Sequence, residues 1–209
     1  SINPQLVWKK RVIPNKKSPN KKPSHFVQND EANNVWSDDF DSLNNYGPYD
    51  NHPCRRVCQQ GKSQHCYYRM VVHNYQRLGP ECRRCPYDAK LCESEQCIFG
   101  DGVPTPVMAV NAMVPAPPIE VCENDTITVD VLNLLSETST LHWHGLHVAA
   151  SPEMDGAPYV TQYPIQPGEA FRYSFHADRS GTIYYHSHEG WQRAMGVAGS
   201  FVIRQSRQA

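Results

Sequence analysis

The sequence predicts an all-β domain, a sandwich or barrel of about 100 residues that begins near Val103. Three observations carry that expectation. From Val103 onward the chain breaks into short runs of β-branched and aromatic residues. Several of these runs alternate apolar and polar side chains with a period of two, which places one face in a core and the other outside. Turn-forming pairs punctuate the runs, and no long stretch repeats its apolar residues at helical spacing.

The elements follow in order. Val107–Val110 and Ile119–Val121 read as short strands. Thr126-Ile-Thr-Val-Asp-Val-Leu132 alternates along its length, and Phe171-Arg-Tyr-Ser-Phe175 places its aromatic residues at every second position. Gly196 to Ile203 is a last, mostly apolar strand. Turns are expected at Glu123-Asn124-Asp125, Asp155-Gly156, Pro167-Gly168 and Ser180-Gly181.

Upstream the texture differs. The net charge of −1 hides a basic block, Lys9, Lys10, Arg11, Lys16, Lys17, Lys21 and Lys22, followed by acids alone from Asp30 to Asp50. Charge blocks with few apolar residues between them read as solvated, disordered chain, so residues 1–51 are a low-complexity lead-in rather than a nucleic-acid surface. Residues 52–102 are the Cys-rich segment, with Tyr67 to Tyr75 as a strand between tied loops. So short a piece cannot bury a core of its own, and it is expected to lean on residues 103–205 as an appendage.

Seven of the eight cysteines fall between Cys54 and Cys97, and Cys122 is the eighth. An even, clustered set predicts disulfides and a secreted protein. Cys82-x-x-Cys85 with Cys92 and Cys97 also has the spacing of a four-thiolate zinc site. The sequon Asn124-Asp125-Thr126 favours secretion. No run of apolar residues is long enough to span a membrane, and the start at Ser1 suggests a processed or cut chain.

The chemistry lies in His142-Trp143-His144-Gly145 and Tyr185-His186-Ser187-His188. On a strand, residues i and i+2 point to one face, so two such pairs on facing strands would converge four imidazoles. Four imidazoles without a thiolate suit copper or zinc, and structural zinc prefers cysteine. A blue electron-transfer copper needs Cys beside two His, and no cysteine follows Cys122. Trp143 points to the opposite face and reads as core, and His147 as a loop residue.

The runs Leu141-HWHGLH-His147, Met154-Asp-Gly156, VTQYPIQPG from Val160, FRYSF from Phe171, GTIYYHSHEGWQRAMG from Gly181 and GSFVI from Gly199 resemble the first cupredoxin domain of multicopper oxidases. Within that family they are similar to the insect laccases, whose Cys-rich extension the segment from His52 to Val103 also resembles. The resemblance implies a cupredoxin-like Greek-key β-sandwich. It implies further that first and third cupredoxin domains share a trinuclear copper cluster. His142 would hold the type 2 copper, and His144, His186 and His188 the type 3 pair. Asp155 would be an acid steering protons near the cluster, although Asp155-Gly156 also reads as a plain turn.

By the same resemblance, the partners would be dioxygen, reduced to water, and a phenolic, diamine or metal-ion substrate. The remaining ligands would belong to C-terminal cupredoxin domains that the 209 residues do not include, which leaves this portion inactive by itself. Tyr163 stands where the family has Cys, Met195 where it has Asp, and Glu153 where it has an aromatic residue. These departures keep open an alternative, a non-catalytic secreted relative acting through binding or structure.

Overall fold

The computed structural model describes residues 51–94 and 97–206. The expected lead-in over residues 1–51 therefore lies, but for Asn51, outside the described residues. Eight strands form two four-stranded sheets: β1 (His65–Arg77), β2 (Thr105–Val110), β3 (Ala116–Cys122), β4 (Thr126–Asn133), β5 (Leu141–His144), β6 (Ala170–His176), β7 (Gly181–Ser187) and β8 (Ala198–Arg204). The first sheet runs β2-β1-β4-β6 and the second β3-β8-β7-β5. This is the all-β sandwich that the alternation predicts, cupredoxin-like as the resemblance implies. Apart from 3-10 turns, only two short helices are present among the described residues, α1 (Ala89–Cys92) and α2 (Gln192–Met195). None of these is long and apolar enough to cross a membrane.

Alternation builds the core. In β4 the side chains of Ile127, Val129 and Val131 are fully buried between the sheets. They meet Tyr173 and Phe175 of β6 and, from the second sheet, Trp143, Tyr185 and Phe201. The Trp143 ring lies 4.7 Å from Phe175 and 5.3 Å from Tyr173, centroid to centroid. The outward face of the first sheet is polar and interlocked: Arg172 donates both to Asp130 Oδ1 and to Oδ2, and the Tyr67 hydroxyl donates to Asp130. Burial, together with that bond, pushes the Tyr67 phenol up to about 12.

Two expectations are corrected. The Cys-rich segment is not an appendage, because its strand β1 is an interior member of the first sheet. It pairs parallel with β4, Tyr68 opposite Val129, and antiparallel with β2, Val72 opposite Val110. Its Tyr68, Met70 and Val72 fill the common core, which is how so short a segment is stabilised. The last strand starts two residues late: α2 occupies Gln192–Met195, and Gly196, at φ +127°, closes it where a Cβ would press on the Met108 carbonyl.

All eight cysteines are paired, as Cys54–Cys66, Cys58–Cys122, Cys82–Cys97 and Cys85–Cys92. The zinc alternative is thereby removed, since its four thiols are bonded to one another. Cys58–Cys122 ties the N-terminal loop to β3, and Cys54–Cys66 ties it to β1. Between them Asp125, fully buried, accepts from both Arg56 Nη atoms at 2.7 and 2.8 Å and from the amides of Gln64 and Cys122, each at 2.8 Å.

Candidate metal centre

The two histidine pairs lie side by side on neighbouring strands of one sheet, not face to face across the sandwich. β5 and β7 are antiparallel with His142 directly opposite His186 and His144 opposite Tyr184. Opposed residues share a face, so His142, His144 and His186 project together while Trp143 and Tyr185 point into the core. One ligand nitrogen from each of these three histidines lies within 4.8 Å of the other two. His188 is past the end of β7, its ring 5.4 Å from that of His142 and 6.1 Å from that of His186, and it stands outside this triad. Its exposed side chain adjoins the group.

Hydrogen bonds set which nitrogens are available. His142 Nδ1 lies 2.7 Å from the Asp155 carbonyl, and His186 Nδ1 lies 2.9 Å from the Ser187 carbonyl. A carbonyl only accepts, so each Nδ1 carries a proton, and Nε2 is the nitrogen left to a metal. His186 Nε2 faces His144 Nδ1 at 3.4 Å. Burial lowers the His186 pKa, outweighing the Ser187 bond, and the neighbouring histidines push the same way. The imidazole is thus held neutral, the form a metal takes.

The surroundings position these rings. β5 is the outer strand of its sheet, and its open side is held by the Pro152–Met154 turn and the residues after it. The Trp143 indole donates to the Met154 carbonyl at 3.0 Å. Gly156, at φ +80°, brings the chain against the Leu141 carbonyl where any Cβ would collide, and this approach places Asp155 on His142. The Asp155 carboxylate also lies 3.4 Å from His142 Nδ1, so the residue is both a turn residue and a neighbour of the site. Across the sandwich the Tyr173 hydroxyl accepts from the Leu141 amide at 2.9 Å. His147 is an exposed loop residue, 3.6 Å from Asp178.

Two residues have no signal in the sequence. Gln192 is buried in α2 and uses its whole amide: Oε1 accepts from Ser139 at 2.8 Å and Ser187 at 2.7 Å, and Nε2 donates to Glu137 and to the Thr138 carbonyl. Ser187 separates the two histidines of its pair, so Gln192 braces the end of β7 between them. Tyr184 lies against both His144 and His186, with centroids at 4.7 and 4.8 Å. A lone Gln and a strand tyrosine are unremarkable in a sequence; only the fold puts them here.

A triad of imidazoles without thiolate, with carbonyls behind two of its rings, is a donor set that fits copper. A cupredoxin-like sandwich that gathers three histidines at one end of a sheet is the class of domain found here. The chain belongs to the multicopper oxidase family, whose sequence model matches residues 91–208. It is 48% identical over 98 residues to an L-ascorbate oxidase of Brassica rapa subsp. pekinensis, covering 46% of this chain and 17% of that protein. It is 40% identical over 108 residues to laccase-1 of Emericella nidulans, covering 52% of this chain and 18% of that protein. The chain thus spans less than a fifth of these two relatives.

Among solved structures it is similar to the laccase from Botrytis aclada, with 29% identity, a TM-score of 0.56, and 68% of this chain and 23% of that chain covered. A multicopper oxidase from Pseudomonas thermotolerans gives 27% identity, a TM-score of 0.54, and 70% and 31% coverage. Its relatives are oxidoreductases, and the family implies copper binding.

Proposed function

We propose that the chain forms the N-terminal domain of a secreted, laccase-like multicopper oxidase. His142, His144, His186 and His188 are its share of the ligands of a trinuclear copper cluster, His142 on the type 2 copper and the other three on the type 3 pair. There dioxygen is reduced to water while a phenolic, diamine or metal-ion substrate is oxidised. The observation that supports this reading is the convergence of three imidazole nitrogens within 4.8 Å on one face of β5 and β7.

Copper, when bound, supplies Lewis acidity and a store of electrons. The chain's own residues hold the donors still. The Asp155 and Ser187 carbonyls hold Nδ1 of His142 and His186, so that Nε2 is the atom each ring turns to the site, and Gln192 holds Ser187 in place. Asp155, partly exposed beside His142, holds or releases a proton at its carboxylate at the margin of the site. Further cupredoxin domains of the same protein complete the ligand set and bring the electron entry site.

Two measurements on the purified 209-residue chain test the division of labour. Copper per chain by elemental analysis should fall in His142→Ala/His186→Ala, and no copper-dependent phenol oxidation should be seen. Turnover by this chain alone, or a copper content indifferent to the double substitution, would sink the reading.

A further inference from the structure

We propose that Asn124 carries an N-linked glycan, attached before the turn around it closes. The inference rests on the secretory part of the reading above, and the test below supplies export independently of it. Asn124-Asp125-Thr126 is the single Asn-x-Ser/Thr triplet in the 209 residues. The structure sets Asn124 in the turn between β3 and β4, exposed, at φ +71°, a conformation that asparagine tolerates. Among the described residues its carboxamide has no hydrogen-bond partner, while its backbone amide donates to the Ala177 carbonyl at 2.9 Å. The acceptor nitrogen is therefore presented to solvent on a fixed support.

In the rest of the triplet Asp125 is buried and Thr126 half-buried. The Asp125 carboxylate is held by Arg56, and the Thr126 hydroxyl lies 3.2 Å from His176 Nδ1. Cys122, two residues upstream, is bonded to Cys58. A transferase that must read the asparagine and the threonine hydroxyl together has to draw that hydroxyl away from His176 and out of this turn. Addition therefore precedes closure of Cys58–Cys122 and entry of Asp125 into its pocket. In the step, Asn124 Nδ2 bonds to the anomeric carbon of a lipid diphosphate-linked oligosaccharide. The sugar–phosphate bond breaks, the lipid diphosphate leaves with the electron pair, and the amide gives up one proton to base.

The position suits a bulky addition. Strand registers place Thr126, His176, Gly181 and Arg204 at one end of the sandwich and His142, His186 and Ala198 at the other. A glycan on Asn124 thus leaves the histidine end uncovered.

The test is translation of the 209-residue chain behind a heterologous signal sequence with endoplasmic-reticulum microsomes, reading the protease-protected fraction on a gel. One endoglycosidase-sensitive increment is expected, lost in Asn124→Gln and Thr126→Val and kept in Thr126→Ser. The readout precedes folding, so misfolding of a variant does not blur it. Dithiothreitol, or Cys122→Ser, should raise the glycosylated fraction by keeping the turn open. A protected chain without the increment, or one that keeps it in Asn124→Gln, overturns the site and leaves Asn124 as a turn former only. A fraction indifferent to dithiothreitol and to Cys122→Ser overturns the order of events.

Discussion

At the Asp125 end of the sandwich, both carboxylate oxygens are saturated by two guanidinium and two backbone donors, with the disulfides Cys54–Cys66 and Cys58–Cys122 alongside. At the histidine end, each hydrogen bond on Nδ1 of His142 and His186 leaves Nε2 uncommitted to any backbone partner. The same two sheets thus carry one end where a buried carboxylate has all its partners within the chain and one where three imidazoles gather at the end of a sheet. A buried polar group left without a partner is destabilising, which is why the Asp125 carboxylate needs all four of these donors. The difference separates residues that hold the fold from those that the proposed function makes metal ligands.

The comparison can be broken by exchanging the effects of the two ends. The largest expected change is at Asp125: Asp125→Ala strands Arg56 and two amides and should destabilise the domain by about 3–5 kcal/mol. Denaturant unfolding measures this, and copper binding by the fraction still folded should be unaltered. Removing the Cys58–Cys122 bridge with paired serines should cost about 2–4 kcal/mol by the same assay, again without altering copper binding. Gln192→Leu sharpens the contrast from the other side. It frees the Ser187 turn and should weaken copper binding roughly 10- to 100-fold, as loss of an outer-shell partner does. Unfolding of that variant at matched denaturant separates misplacement of the histidines from simple loss of fold.

The smallest effect is in acid. Burial alone would raise the Asp125 pKa, but Arg56 and the amides of Cys122 and Gln64 outweigh it and hold the carboxyl below its ordinary value. A carboxyl depressed in the folded state adds stability that is present above its unfolded pKa and lost as pH falls through the folded one. Asp125→Asn should therefore flatten the acid limb of the stability profile below the normal carboxylate range, seen by thermal unfolding at stepped pH.

Much of this was legible in the residues because it depends on local period. The alternation of Thr126–Leu132 and Phe171–Phe175 gives strands and their inward faces, and the i, i+2 spacing of the histidine pairs gives a shared direction. What depends on non-local pairing was hidden. β1 reads as a strand between tied loops, but its place inside the first sheet does not show, because its parallel neighbour β4 begins at Thr126, some distance along the chain. The disulfide pattern was one among on the order of a hundred pairings. That the two histidine strands lie side by side, and that Gln192 braces them, follows from the sheet order and from a buried amide that no periodicity marks.

The central claim is that these histidines are copper ligands. Electron paramagnetic resonance of Cu(II) added to the 209-residue chain reads it most directly, through the hyperfine couplings of nitrogens bound to the metal. The account predicts imidazole nitrogen couplings in the native chain and their loss in His142→Ala/His186→Ala, with the far-ultraviolet circular dichroism of the sandwich kept. An identical spectrum in the double variant, or copper held by oxygen ligands alone in the native chain, would contradict it.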